Sequence, residues 1–567
     1  MSGILISTTA SANNFVKVSV TQPATQDLSA SITQGIQHSA SGVMTSKHSD
    51  LELYGPWLTA EGYSSNAQEL INYIQDSRVQ GLNPEAYDLT PIINTVKAIA
   101  KLNSRIESGA TDSSQLIASK RADVENQLSV AFVKLANDLG KGATKAKDVQ
   151  RRMFRAVPKV DAQSWLDAIS TGQVTTAQAL DSLMPQNPAY HRLSNRMRQL
   201  LAERSSGKHR IVIEESEVHA SEFAAHDIQR IKLKLMETGE LPMNTEMTSD
   251  WNSNAEYALQ SFQQRSGLPV TGTLDAETRK ALNHTLDEEI QEVAMSLERW
   301  RWMPRELGKT HVMVNIPEFR VALKKDDRTL LSMTTVVGSV EHATPTFSED
   351  MKHIVFNPTW TVPKSITNRE LIPLERKNPG YLKSKGFDIM RRDGDYLVKV
   401  SYSDITQSDL TAKRFPYVLQ QRSGKRNALG RMKFMMPNQW SIYMHDTQAK
   451  DLFSHHVRAY SHGCIRLSDP EAMARALLTE DGYTDMEIEA HLARSKQKLV
   501  KLRTPVPTHL SYFTSWVDEY GTFNRRNDIY DYNDALIRAL KSNNTLLSVL
   551  DTMPIASAAK PRTSNGS

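Results

Sequence analysis

Near residue 311 the spacing of apolar residues changes from a helical period to strict alternation, and this change bounds what the chain can fold into. Upstream, Ala67, Leu70, Ile71 and Ile74 fall at i, i+3, i+4 and i+7. Downstream, Val312, Val314 and Ile316 alternate with His311, Met313 and Asn315. Phe319, Val321 and Leu323 do the same before an Asp326-Asp327 turn, with Leu331, Met333 and Thr335 after it, and Ile354, Phe356 and Trp360 continue the strand text. Helices followed by strands predict a multidomain α+β protein. The 567 residues leave room for three to four domains of about 150 residues, each able to bury a core. With 39% hydrophobic and 23% charged residues the chain reads as folded. Lys and Arg (68) nearly balance Asp and Glu (64), which argues against nucleic acid as the main partner. No apolar run approaches the roughly 18 residues of a membrane span.

Residues 1–12 hold a short apolar run, Gly3-Ile4-Leu5-Ile6, and a small-x-small triplet, Ala10-Ser11-Ala12. They read as the tail of a truncated signal peptide, although a disordered Ser/Thr-rich start would have the same composition. Residues 13–50 read as a flexible lead-in and 51–220 as an all-helical domain. Ser65 with Gln68 forms a capping box, Gly81-Leu82 a Schellman ending, and Val124–Leu139 and Tyr190–Leu201 give further helices. A compact segment follows over 226–285. Ser253 and Glu256 form a second box; Ala255, Ala258, Leu259 and Phe262 line one face; Ser266-Gly267 stops the helix; Asp275 caps a last one. ALQSFQQRSGL from Ala258 to Leu268, followed by GTLDAET from Gly272 to Thr278, resembles the three-helix peptidoglycan-binding domain. The resemblance implies peptidoglycan as a partner.

The single cysteine, Cys464, lies in Ser461-His462-Gly463-Cys464-Ile465-Arg466-Leu467. One cysteine can form neither an internal disulfide nor a paired-cysteine zinc site. Trp440, Ile442 and Met444 alternate with Ser441, Tyr443 and His445, so Tyr443 and His445 project together if the apolar set faces the core. In the same way Ile465 and Leu467 turn inward and leave Cys464 and Arg466 on the open face. Asp469-Pro470 then starts a helix. Positive charge from His462, Arg466 and His445 would lower the thiol pKa and make it a nucleophile; the alternative is an inert buried thiol. A zinc site from His445, His455, His456, His462 and Cys464 is the other rival, but it lacks any zinc-motif spacing.

Tyr443-Met444-His445-Asp446-Thr447 with Ser461–Arg466 resembles the signature of the YkuD-type L,D-transpeptidase catalytic domain. LERWRWMP from Leu297 to Pro304, Asn315–Phe319, Thr344-Pro345, Asn357–Trp360, Pro363, Pro505–Pro507, Phe513–Trp516 and Asp528–Tyr530 are similar to the large Gram-negative subfamily, in which a helical scaffold and a peptidoglycan-binding domain precede catalysis. The resemblance implies a catalytic domain over 295–535, with a capping insertion at about 364–430, and a C-terminal helix and disordered tail over 536–567. It implies Cys464 as nucleophile, His445 as base and acid, and the Asp446 backbone carbonyl orienting His445. Gly463 and Cys464 amides and the Tyr443 hydroxyl would serve the oxyanion, and His462, Arg466 and Trp360 the substrate. Neither cofactor nor metal is implied. The substrate would be stem peptides on glycan in the periplasm, cross-linked 3→3 in building the wall that sets cell shape, with carbapenems as inhibitors; the sequence does not reveal partner synthases. L,D-carboxypeptidase action, lipoprotein anchoring and a non-catalytic binding scaffold are the alternatives.

The tail of the insertion is basic: Lys413, Arg414, Arg422, Lys425, Arg426, Arg431 and Lys433, with no acidic residue from 411 to 433. It reads either as a lid for anionic stems or as a solvated loop. Ser423-Gly424-Lys425 is not a phosphate loop, because Leu419 stands where its first glycine belongs.

Overall fold

The computed structural model describes residues 55–59, 62–107, 114–207, 209–214, 225–424 and 426–543. The signal-peptide and lead-in readings, Lys425 and most of the C-terminal tail lie outside the described residues. Among the described residues no helix is long and apolar enough to cross a membrane.

The chain divides into two compact units, and the division cuts across the helical region expected to be one domain. One unit contains 88–132 and 166–176 with the N-terminal residues to 71; the other contains 72–87, 133–165 and everything from 177 onward. The first unit is not purely helical, since β1 (Leu58–Thr59) and β2 (Gly62–Tyr63) form a small antiparallel pair. Its first long helix, Ser65–Asp76, is capped by Ser64 rather than Ser65, whose neighbour's hydroxyl accepts the Ala67 amide at 3.1 Å. At its far end Gly81, in the left-handed region (φ 72°), lets the Leu82 amide reach Ser77 O, the Schellman closure read from the sequence.

In the second unit, helices Ala225–Glu237, Ser253–Arg265 and Ala276–Leu282 enclose Ile228, Ile231, Leu235, Leu259, Phe262 and Leu282. Asn252, not Ser253, caps the middle helix by accepting the Ala255 amide, and Asp275 caps the third as read. The buried amide of Gln263 organises the turn between them. It donates to Thr271 Oγ1, Thr273 O and Thr278 Oγ1 and accepts from the Thr271 and Gly272 amides.

Strands β3 (Thr310–Asn315), β4 (Arg320–Lys325), β5 (Arg328–Gly338), β6 (Phe347–Phe356), β11 (Met432–Met435), β12 (Met444–His445), β13 (Ala459–Ser461), β14 (Ile465–Leu467) and β15 (Lys498–Ser511) form one sheet. Its order is β13-β5-β14-β12-β11-β6-β15-β3-β4. A further β4–β5 pairing closes it on itself, and its interior is filled by Val312, Val314, Leu323, Ile354, Phe434, Met444, Ile465 and Leu467. Asp326 and Asp327 both take positive φ (48° and 64°) in the hairpin turn between β4 and β5. The insertion builds a second sheet, β7 (Trp360–Thr361), β8 (Phe387–Asp393), β9 (Tyr396–Val400) and β10 (Val418–Gln421), ordered β7-β10-β8-β9. Its own core contains Ile372, Leu382, Phe387, Ile389 and Leu419. A short hairpin, β16 (Ser515–Val517) with β17 (Phe523–Arg525), and the helix Tyr532–Ser542 complete the unit.

Candidate active site

The catalytic signature sits where β12 and β14 lie side by side and parallel, with Met444 opposite Ile465 and His445 opposite Arg466. The strand at His445 is only two residues long, because Ser441 adopts positive φ (57°) and breaks the longer alternation expected from Trp440 onward. Facing is nonetheless as expected. Ile442, Met444, Ile465 and Leu467 enter the core, and the Tyr443 and His445 rings lie together at 5.6 Å. Strand spacing of about 4.8 Å and two residues' rise put the Cα atoms of His445 and Cys464 roughly 8 Å apart on one face.

Cys464 is partly exposed, and its Sγ lies 3.7 Å from Ser441 O. A carbonyl only accepts, so this contact belongs to a protonated thiol. Burial pushes the thiol pKa up, against the opposing pull of Tyr443, Lys433 and Arg466. The lowering of the thiol pKa expected from neighbouring positive charge is thus outweighed by burial. The Tyr443 hydroxyl interacts with the Cys464 sulfur and with the Trp360 side chain, so Trp360 from β7 joins the site.

His445 is buried, and its Nδ1 meets Asp446 O at 2.5 Å. The carbonyl requires Nδ1 to carry the proton, which leaves Nε2 as the free base. Burial, then Arg466 and Lys433, push the imidazole pKa down to about 3, so the ring is neutral and supplies no charge to the thiol. The cause is visible in the register: Lys433 on β11 stands opposite His445 on one side and Arg466 on β14 on the other. The Asp446 side chain accepts the Arg431 and Thr447 amides and pairs with Lys450 at 2.8 Å.

The loop that delivers Cys464 is held by residues given no role from sequence. Ser461 Oγ accepts the Gly463 amide at 3.0 Å and donates to Cys464 O at 2.5 Å. The Gly463 amide is thus already engaged, which leaves the Cys464 amide and the Tyr443 hydroxyl as the candidate oxyanion donors. Thr344 Oγ1 accepts the Gly338 amide and donates to Gly463 O, while Tyr530 donates to Gly338 O. Gly463 itself needs φ 109°, a region only glycine enters freely.

His462 does not face the thiol. Its Nε2 lies 2.8 Å from Glu370 of the insertion and its ring stacks on His342. Arg466 does face the site; its Nε is buried with no hydrogen-bond partner among the described residues. Of the basic tail Lys433 reaches the site, 3.8 Å over the Tyr443 ring. Arg422 pairs with Asp388, Arg426 bonds Ser384 O and Arg431 bonds Leu492 O, so these three do not form a charged lid. Lys433 is the residue missed. Its hint was its place on a strand beside the His445 strand, which local spacing does not reveal. His455 Nδ1 meets the Tyr460 hydroxyl at 2.9 Å.

A closed sheet thus brings a thiol and a neutral imidazole to one face. In family comparison, residues 309–506 match the L,D-transpeptidase catalytic domain (YkuD), residues 55–197 the scaffold domain, and residues 226–282 the family described as "Putative peptidoglycan binding domain". The chain thus carries an L,D-transpeptidase catalytic domain behind a scaffold domain and a peptidoglycan-binding domain. It is 32% identical over 243 residues to a Haemophilus influenzae protein described as "Putative L,D-transpeptidase"; the match covers 43% of this chain and about half (48%) of that relative. Among solved structures, an L,D-transpeptidase from Mycobacterium smegmatis is 12% identical over 36% of this chain and 58% of its own, with TM-score 0.17. One from Stackebrandtia nassauensis is 12% identical over 53% and 95%, with TM-score 0.20.

Proposed function

We propose that the chain is a peptidoglycan L,D-transpeptidase that forms 3→3 cross-links in the periplasm with Cys464 as nucleophile. As Sγ attacks the carbonyl carbon of the third residue of a tetrapeptide stem, His445 Nε2 takes the thiol proton. The oxyanion that forms is met by the Cys464 amide and the Tyr443 hydroxyl. The imidazolium then gives its proton to the departing D-alanine nitrogen, leaving a thioester on Cys464. An acceptor amine attacks that thioester, again giving its proton to His445, and the cross-linked product leaves a free thiol. Arg466 and Trp360 hold substrate beside the thiol. His462 is left to the contact with Glu370 that joins the capping subdomain to the catalytic loop.

The observation that carries the reading is the Nδ1 contact of His445 with Asp446 O, beside the chain's single thiol, because it fixes the tautomer that can accept a thiol proton. Incubation with disaccharide-tetrapeptide is expected to give dimers of twice the monomer mass less one alanine. Tripeptide and free alanine alone would mean a carboxypeptidase, and transfer only to a lipoprotein lysine would mean anchoring. Muropeptide changes that survive Cys464→Ala would leave a binding scaffold. Carbapenem acylation of Cys464, read as an adduct in intact mass, is expected for the wild type and not for Cys464→Ala.

A further inference from the structure

A cavity of about 540 Å³ opens between the three-helix domain, the outer edge of the closed sheet and the β16–β17 hairpin. Four guanidiniums line it: Arg265, Arg320, Arg458 and Arg526. Arg265 is matched by Glu240, and the carboxylate of Asp518, the second acid in the wall, is used by the Tyr520 and Thr522 amides and Asn524 in the hairpin turn. Arg320, Arg458 and Arg526 are left facing the single carboxyl of Glu318, which lies 4.0 Å from Arg320. Arg458 stacks over Phe319 and Arg526 over Trp516, so both are fixed in place. Arg458 Nε is buried with no hydrogen-bond partner among the described residues.

We propose that this cavity is a binding site, separate from Cys464, for an oxyanion of carboxylate or phosphate class. Four guanidiniums against the carboxyls of Glu240, Glu318 and Asp518 leave about one positive charge without a counter-charge, and Arg458 Nε is a donor to spare for an anion. The crowding is felt by the groups themselves: burial and then Arg320 hold Arg458 below the ordinary guanidinium range, and burial raises the Glu318 carboxyl against the pull of Arg526 and Arg320. An anion seated there would touch both the three-helix domain and the segment that leads through β13 to Cys464. Gly267 of the three-helix domain lies so close that an added Cβ would come within 2.5 Å of Arg526 Cδ.

Calorimetric titration of the full chain with inorganic pyrophosphate and, separately, with citrate tests the site. One saturable event per chain is expected, weakened about tenfold or more in Arg458→Gln and by less in Arg458→Lys, which keeps the charge but not the Nε donor. Binding of pyrophosphate alone assigns phosphate, and binding of citrate alone assigns carboxylate. Equal binding of both supports the oxyanion class without a preference. No saturable binding of either, or binding unchanged in both Arg458→Gln and Arg320→Gln, would overturn the proposal. Because neither probe is a transpeptidation substrate, a wrong reading of Cys464 would leave this result unaffected.

Discussion

His445 stands between two cations in register, and their combined field with burial keeps the ring neutral from about pH 3 upward. The thiol, with its pKa raised, stays protonated through the neutral range. A concerted proton transfer therefore fits better than a standing thiolate–imidazolium pair, and the two differ in pH behaviour. Alkylation of Cys464 by iodoacetamide is expected to rise steadily towards alkaline pH with no plateau near neutrality; a plateau with an acid limb near pH 6 would refute it. His445 also ties stability to pH. Its folded pKa is depressed, so its contribution is intact above the unfolded value of about 6.5 and is lost as pH falls from there towards 3. The urea midpoint should thus fall less between about pH 7 and pH 4 in His445→Gln than in the wild type. At Lys433, the Met substitution removes a charge that favours the thiolate, so carbapenem acylation should slow about tenfold. An unchanged rate would remove Lys433 from the site.

At the scale of elements, the loop bearing Cys464 is rigid because its carbonyls and amides are taken up by neighbours: Gly463 O by Thr344, Cys464 O by Ser461, Ile465 N by Tyr443 O. Thr344→Val removes both bonds of a fully buried hydroxyl and leaves the Gly338 amide and Gly463 carbonyl unsatisfied. It should cost about 1–3 kcal/mol in denaturant titration and lower kcat more than it raises KM. Gly430 is under a second constraint: it has φ 57°, and an added Cβ would fall 2.2 Å from Asp446 Oδ2. Alanine there must displace the carboxylate that holds the turn after His445. The caps show how far local signals reach. Asp275 was legible because it stands alone before its helix, and Asp469 because Pro470 marks the first helical position after it, whereas Ser64-Ser65 and Asn252-Ser253 offer two capable residues in a row. Asn252 and Asp275 cap from an extended backbone.

In the molecule as a whole, a stretch from the helical region is built into the catalytic sheet's surroundings. Met153 bridges Thr346, and Arg155, fully buried, donates to Ser348 Oγ, Phe347 O and Leu510 O, while Phe154 stacks on Trp440 at 4.4 Å. Arg155→Met would strand two buried carbonyls and is expected to destabilise the unit by about 2–4 kcal/mol, seen as a lower denaturant midpoint with a single transition. Two separated transitions in the wild type would show instead that this segment and the sheet unfold independently. The period change near residue 311, the alternation that turns Cys464 and Arg466 outward, and the pairing of a lone thiol with a histidine in a family signature were all written locally, because periodicity and spacing are properties of consecutive residues. The charge state of that thiol, the engagement of His462 by Glu370, the arrival of Lys433 beside His445 and the division running through the helical region were decided only by tertiary structure. Register between strands and burial set the electrostatics, and both are relations between residues far apart in the chain.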